Sequence, residues 1–173
     1  MPTLTIVPQF ASQTATGGRV SWANTSNVNT YDDGNATTAT AGTVPPNADA
    51  QTMTLSVPAQ PIPPGSRITG VRFRASTLRS AASGGQLFQF TGPGGIIHSY
   101  FESSVTFAVR EVGSLTTIAP NMSGLAWSSG FNITVDSTIY QTGVSVSLDG
   151  IEITVVYTPP ADSIATAVLL LDD

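Results

Sequence analysis

The chain has 173 residues and no cysteine, and its six arginines stand without a lysine against eleven Asp and Glu, for a formal net charge of −5. The missing cysteine excludes disulfides, thiolate metal sites and cysteine nucleophiles together, and the missing basic stretch argues against nucleic acid as a partner. Charged residues make up only 10% of the chain, against the ~25% usual for globular domains, so solubility rests on Ser, Thr, Asn and Gln.

This length suits one domain, in which folding buries roughly 70% of the unfolded surface. Gly and Pro punctuate the chain, with Thr, Val, Ser and Ile between them. That pattern predicts an all-β fold of short strands at regular spacing. Met1-Pro2-Thr3-Leu4 lacks the basic and apolar regions of a signal peptide. The longest apolar run, Ala167-Val168-Leu169-Leu170-Leu171, is too short to cross a bilayer. The expectation is a chain made in a cytoplasm, with no membrane partner.

In chain order, Leu4-Thr5-Ile6-Val7 reads as a strand or an ordered arm within residues 1–18. Arg19-Val20-Ser21-Trp22 is a short strand candidate opening a domain over residues 19–158. The polar stretch that follows contains Asp32-Asp33-Gly34-Asn35, which faintly resembles a calcium loop. It lacks the alternating ligands and the Glu at position twelve that such a loop needs. It is read as a turn in which Asp and Asn cap local N–H groups. Residues 40–51 form a Pro-Pro connector, and Met53, Leu55 and Val57 alternate along the next strand.

In Arg67 to Ser76, Val71, Phe73 and Ala75 share one face, and Arg72 and Arg74 the other. A bulge at Gly70 would return Ile68 to the core face. The arginine face meets either solvent or an acidic partner. Residues 80–98, glycine-rich with an apolar centre, read as a long loop. Within it Gly92-Pro93-Gly94-Gly95 lacks the Lys-Ser/Thr and the helix of a phosphate cradle.

Val105, Phe107 and Val109 alternate and are expected to point inward, as are Phe131, Ile133 and Val135. In the last block Val144, Val146 and Leu148 hold one parity, and Ile151, Ile153, Val155 and Tyr157 the other. A strand cannot change parity without moving its apolar set across the sheet. Asp149-Gly150 is therefore a two-residue hairpin turn or a glycine bulge. Pro159-Pro160 ends the strand and leaves residues 159–173 as a tail. Its Ile164, Val168, Leu169, Leu170 and Leu171 are expected to dock, on the chain's own sheet or on a neighbouring copy.

His98 is the only histidine, so serine triads and histidine-based metal sites lose their usual members. Glu102, Glu111, Asp136 and Glu152 could in principle pair as in glycosidases, but the sequence singles out no pair. The expectation is a protein with no enzymatic activity, metal or cofactor.

Several segments form a recognisable series. They are Trp22-Ala23-Asn24, Asn27, Asp33-Gly34-Asn35-Ala36-Thr37, Ile62-Pro63-Pro64-Gly65 running on to Gly70-Val71, Leu125-Ala126-Trp127, Phe131 to Val135, and Asp149 to Tyr157. Their order resembles a β-sandwich, jelly-roll-like domain common in virion proteins of tailed bacteriophages, over most of residues 20–158. The resemblance implies a single antiparallel sandwich with N- and C-terminal arms. Trp22, Phe73, Phe107, Trp127, Ile153 and Tyr157 would form its core, with the two tryptophans plugging opposite ends, each burying on the order of 200 Å². The polar stretch after Trp22 would be a lid over it. The implied role is a decoration (cement) protein on the outer surface of the head, a homotrimer or homodimer contacting the major capsid protein and its own copies. The alternative is a tail, baseplate or fibre module, including one that binds host glycans through Tyr31, Phe88, Phe90 or Tyr100.

Overall fold

The computed structural model describes residues 1–14, 20–31, 36–40, 48–80 and 86–161. These form two antiparallel sheets packed as a sandwich. The strands are β1 (Thr3–Ile6), β2 (Gln9–Gln13), β3 (Thr37–Thr40), β4 (Ala48–Asp49), β5 (Met53–Val57), β6 (Arg67–Arg79), β7 (Gln86–Gly92), β8 (Gly95–Glu102), β9 (Ala108–Ser114), β10 (Phe131–Ile139) and β11 (Ser145–Thr158). One sheet runs β1-β11-β6-β9, with β3 beside the other half of β11; the second runs β2-β5-β10-β7-β8, with β4 beside β10. With β1, β2 and β4 set aside, the sheets read β3-β11-β6-β9 and β5-β10-β7-β8. Every step along the chain except the β7–β8 hairpin then crosses between sheets, the winding of a jelly roll.

Alternation builds the core. Met53, Leu55 and Val57 of β5, Val71, Phe73 and Ala75 of β6, and Ile133, Val135 and Ile139 of β10 are all buried. β11 stays one continuous strand through its change of parity. Leu148 pairs with Thr77 and Gly150 with Ser76, so Asp149 is the extra residue of a bulge. The bulge lets Val146 and Leu148 on one side of it, and Ile151, Ile153 and Val155 on the other, all face the core. A second shift pairs Val156 with Gly70 and Tyr157 with Ile68. Thr69 is the extra residue there, and Ile68 packs against the core.

Two expectations are corrected. Residues 86–102 are the hairpin of β7 and β8, with Phe88, Phe90 and Ile97 buried, so most of the expected long loop is core strand. Phe107 is not a core residue. It lies exposed just before β9, with Val105 and Val109 exposed as well. The inward parity of this edge strand belongs to Ala108, Arg110 and Val112, which pair with Thr77, Ala75 and Phe73 of β6. Arg110 takes an inward place because a buried carboxylate needs it there.

The tryptophans flank β5 at opposite ends. The Trp22 indole N–H donates to the Gln51 carbonyl at 2.6 Å, just before the strand. The Trp127 carbonyl accepts the Gln60 N–H at 2.7 Å, just after it. Both side chains are buried, as are Phe73, Ile153 and Tyr157.

The open sides of the sandwich are closed differently. On the β1/β2 side, a 3-10 turn (Thr25–Asn29) touches β11 in one sheet and β2 in the other, with Val28 fully buried. Its asparagines serve the backbone: Asn29 Oδ1 accepts the Phe10 N–H and Asn27 Nδ2 donates to the Ala36 carbonyl. Gly150 lets the chain beyond this turn lie against β11. A Cβ there would stand 2.2 Å from the Thr30 carbonyl oxygen. Asp32, Asp33, Gly34 and Asn35 lie outside the described residues.

Candidate functional site

The most developed polar cluster closes the other open side, between edge strands β8 and β9. Glu102 is completely buried. Arg110 reaches it from β9 with two hydrogen bonds, Nη2 to Oε1 at 2.6 Å and Nε to Oε2 at 3.2 Å. The Thr77 hydroxyl donates to Glu102 Oε2 at 2.6 Å, and the Ser104 N–H to Oε1 at 2.7 Å. Burial alone would raise this carboxyl's pKa. The bonds from Arg110, Thr77 and Ser104 and the arginine's charge outweigh burial and hold it below the ordinary value.

Tyr100 and His98 extend the cluster along β8. The Tyr100 hydroxyl lies 2.8 Å from Thr77 Oγ1, and burial pushes its phenol well above the ordinary range. The His98 ring lies tilted against that of Tyr100, 4.8 Å from centroid to centroid. Burial, and then the charge of Arg110, lower the imidazole's pKa. A bidentate arginine, one hydroxyl and a backbone N–H already occupy the carboxylate's oxygens. The arrangement ties two sheets together and leaves Glu102 no lone pair aimed at a substrate.

The other carboxylates singled out by the sequence are dispersed. Glu152 accepts from both Arg72 and Arg74 on the outer face of the first sheet, at 3.4 and 3.2 Å, and Glu111 lies 3.5 Å from Arg74. The arginine face therefore meets acids of its own chain, and Arg74 also lies over the Tyr31 ring at 5.3 Å. Asp136, on the second sheet, accepts from the Thr52 hydroxyl at 2.5 Å. Among the described residues, no group of three or more His, Cys, Asp or Glu is placed to hold a metal ion.

Five large apolar side chains stay exposed near one end of the sandwich. Phe101 is 63% exposed on β8, and Tyr140, just beyond β10, lies with its ring 6.1 Å away. Val105 and Phe107, in the β8–β9 connection, and Val109, at the start of β9, are exposed at the same end of the sandwich. We call this the apolar rim. Of the aromatics expected to meet a glycan, Phe88 and Phe90 are fully buried, and Tyr31 and Tyr100 are partly covered. Sequence reading missed Phe101 and Tyr140, although Phe101 sits on the parity of polar Ser99, where a phenyl ring has no core to reach. The expected docking residues Ile164, Val168, Leu169, Leu170 and Leu171 lie outside the described residues.

No family model and no curated protein sequence matches the chain. Among solved structures, it is similar to the crystal structure of dimeric latent PorU from Porphyromonas gingivalis, at 14% identity and a TM-score of 0.40, over 90% of this chain and 13% of that one.

Proposed function

We propose that the protein is a non-enzymatic binding module, a virion component of a tailed bacteriophage that works as a decoration protein on the head. The observation that carries this reading is the apolar rim. Phe101, Val105, Phe107, Val109 and Tyr140 are presented at one end of a sandwich whose own core is complete without them. Exposed apolar side chains at one end of a domain, Phe101 beside Tyr140 above all, mark a surface suited to contact. Aromatic anchors of this kind supply much of the binding energy where proteins meet. The jelly-roll winding and the phage-like series of segments over residues 20–158 support the virion assignment. The partners are the major capsid protein and further copies of this chain, and the many weak contacts of a lattice add through avidity.

The test is the protein's copy number in purified particles, together with rebinding of wild type and of the Phe101→Ser/Tyr140→Ser variant to heads that lack it. High copy number and rebinding lost in the variant support the reading. A few copies per particle place the chain at the tail instead, and rebinding at wild-type strength removes the rim from the mechanism.

A further inference from the structure

At the end of the sandwich away from the apolar rim, the β5–β6 and β9–β10 connections flank an open cavity of about 450 Å³. Its walls include Ile62, Pro64, Ile68, Leu125 and Trp127, with the exposed Arg67 among them. Ser66 and Trp127, both in this wall, carry a buried hydroxyl and a buried indole N–H with no hydrogen-bond partner among the described residues. The wall thus mixes apolar side chains with serines and glycines, carries one cation and is not fully satisfied by its own groups.

The described chain ends beside this cavity. The last pair of β11 joins Thr158 to Arg67. Pro160 then lies 3.8 Å from the position a Cβ on Gly65 would take, and Gly65 is itself part of the cavity wall. The sequence beyond reads Asp162-Ser163-Ile164-Ala165-Thr166-Ala167-Val168-Leu169-Leu170-Leu171-Asp172-Asp173. It offers a run of aliphatic side chains followed by two carboxylates.

We propose that this cavity is the seat of residues 164–171 of the same chain. Three features choose this occupant. The segment is rooted at the cavity's lip, so its local concentration is in the millimolar range expected of a short tether, and it outcompetes a free partner. Its aliphatic run matches Ile68 and Leu125, the partly exposed apolar side chains of the wall. Asp172 and Asp173 follow the run closely enough for attraction to Arg67, the exposed cation of that wall. The inference stands apart from the virion reading and survives its failure.

The chain's lack of cysteine makes the test clean. The full-length variant S123C/L170C places one thiol on the cavity wall and one in the segment. The variant S99C/L170C moves the first thiol to an exposed position on β8. Under mild oxidation, the first pair is expected to close an intramolecular disulfide at least about tenfold faster than the second, at a rate independent of protein concentration. Equal rates overturn the proposal. Disulfide-linked dimers as the main product also overturn it, since the segment would then sit on a neighbouring copy. The pair S128C/L170C repeats the measurement from another part of the wall, so a folding defect in one variant cannot decide the outcome.

Discussion

Glu102 and Arg110 sit on the edge strands of opposite sheets, and their side chains meet at 2.6 Å inside the sandwich. Glu102 is completely buried, while Arg110 keeps about a third of its side chain in water (32%). The pair closes one open side of the sandwich with charge, where the other is closed by Val28 and its 3-10 turn. A buried ion pair gives little net stability over an apolar pair of the same shape, but removing one partner strands the other.

The consequence is an asymmetry among variants. Arg110→Met leaves a buried carboxylate with only Thr77 and Ser104 as donors, and is expected to cost about 3–5 kcal/mol. Glu102→Gln keeps an oxygen for those donors, and Arg110 can turn to solvent, so it is expected to cost less. Glu102→Leu with Arg110→Met is expected to recover most of the loss. Urea denaturation of the four proteins checks this, and a double variant as unstable as Arg110→Met would refute it.

The same cluster sets how stability depends on pH. The His98 pKa is lowered in the folded protein, so the unfolded chain takes up its proton first, near pH 6.5. Stability contributed by neutral His98 is therefore full above that pH and is lost as pH falls through the folded value. Glu102 is also lowered, so its contribution is full above the ordinary carboxylate range and disappears as acid reaches its folded pKa. Two successive losses are expected between pH 8 and pH 3. His98→Gln should remove the first alone. In His98→Gln/Arg110→Met, desolvation dominates Glu102 and raises its pKa, so mild acid should stabilise that protein where it destabilises wild type. Urea midpoints across the pH range measure both signs.

What the sequence revealed and what it hid follow from one physical distinction. Parity reports burial wherever a strand lies in the middle of a sheet. Val71, Phe73 and Ala75, and the two sets in β11, therefore read correctly, and even the bulges left a trace in Gly70 and Gly150. At an edge strand the inward side faces the facing sheet's edge as well as the core, and a charge can belong there. Val105, Phe107 and Val109 read as an inward set from their alternation alone, yet the inward parity belongs to Ala108, Arg110 and Val112. The partner that reverses this, Glu102, is eight residues earlier on another strand, beyond the reach of local pattern. Residues 86–102 were obscured because glycines on both sides made a core hairpin look like a loop.

The bulge in β11 gives a prediction about the loop lying on it. A Cβ at Gly150 meets the Thr30 carbonyl oxygen at 2.2 Å and the Tyr31 Cα at 3.1 Å, and neither is the yielding end of a flexible side chain. Gly150→Ala must lift residues 30–31 or distort the bulge. Overpacking of this kind costs about 1–3 kcal/mol, and the backbone contact places it at the upper end. Amide exchange is expected to accelerate selectively over residues 24–31, with β6 and β10 protected as in wild type. Uniform acceleration across the sheets would show that the glycine serves the strand and not the loop.

The position of Phe107 separates folding from contact in a single comparison. Phe73 is fully buried with its ring tilted against that of Phe90, 5.2 Å between centroids, so Phe73→Ala should cost about 3–5 kcal/mol by opening a cavity between the sheets. Phe107 has no such enclosure, and Phe107→Ser should change stability by no more than about 0.5 kcal/mol. The phenyl ring at residue 107 nonetheless belongs to the apolar rim, so under the proposed decoration role the same substitution should weaken attachment to heads that lack the protein. Thermal melts of the two variants, set beside rebinding of Phe107→Ser, measure both effects. A Phe107→Ser protein that melts like Phe73→Ala would mean the ring is sealed into the sandwich after all. One that melts and rebinds like wild type would confine the rim to Phe101 and Tyr140.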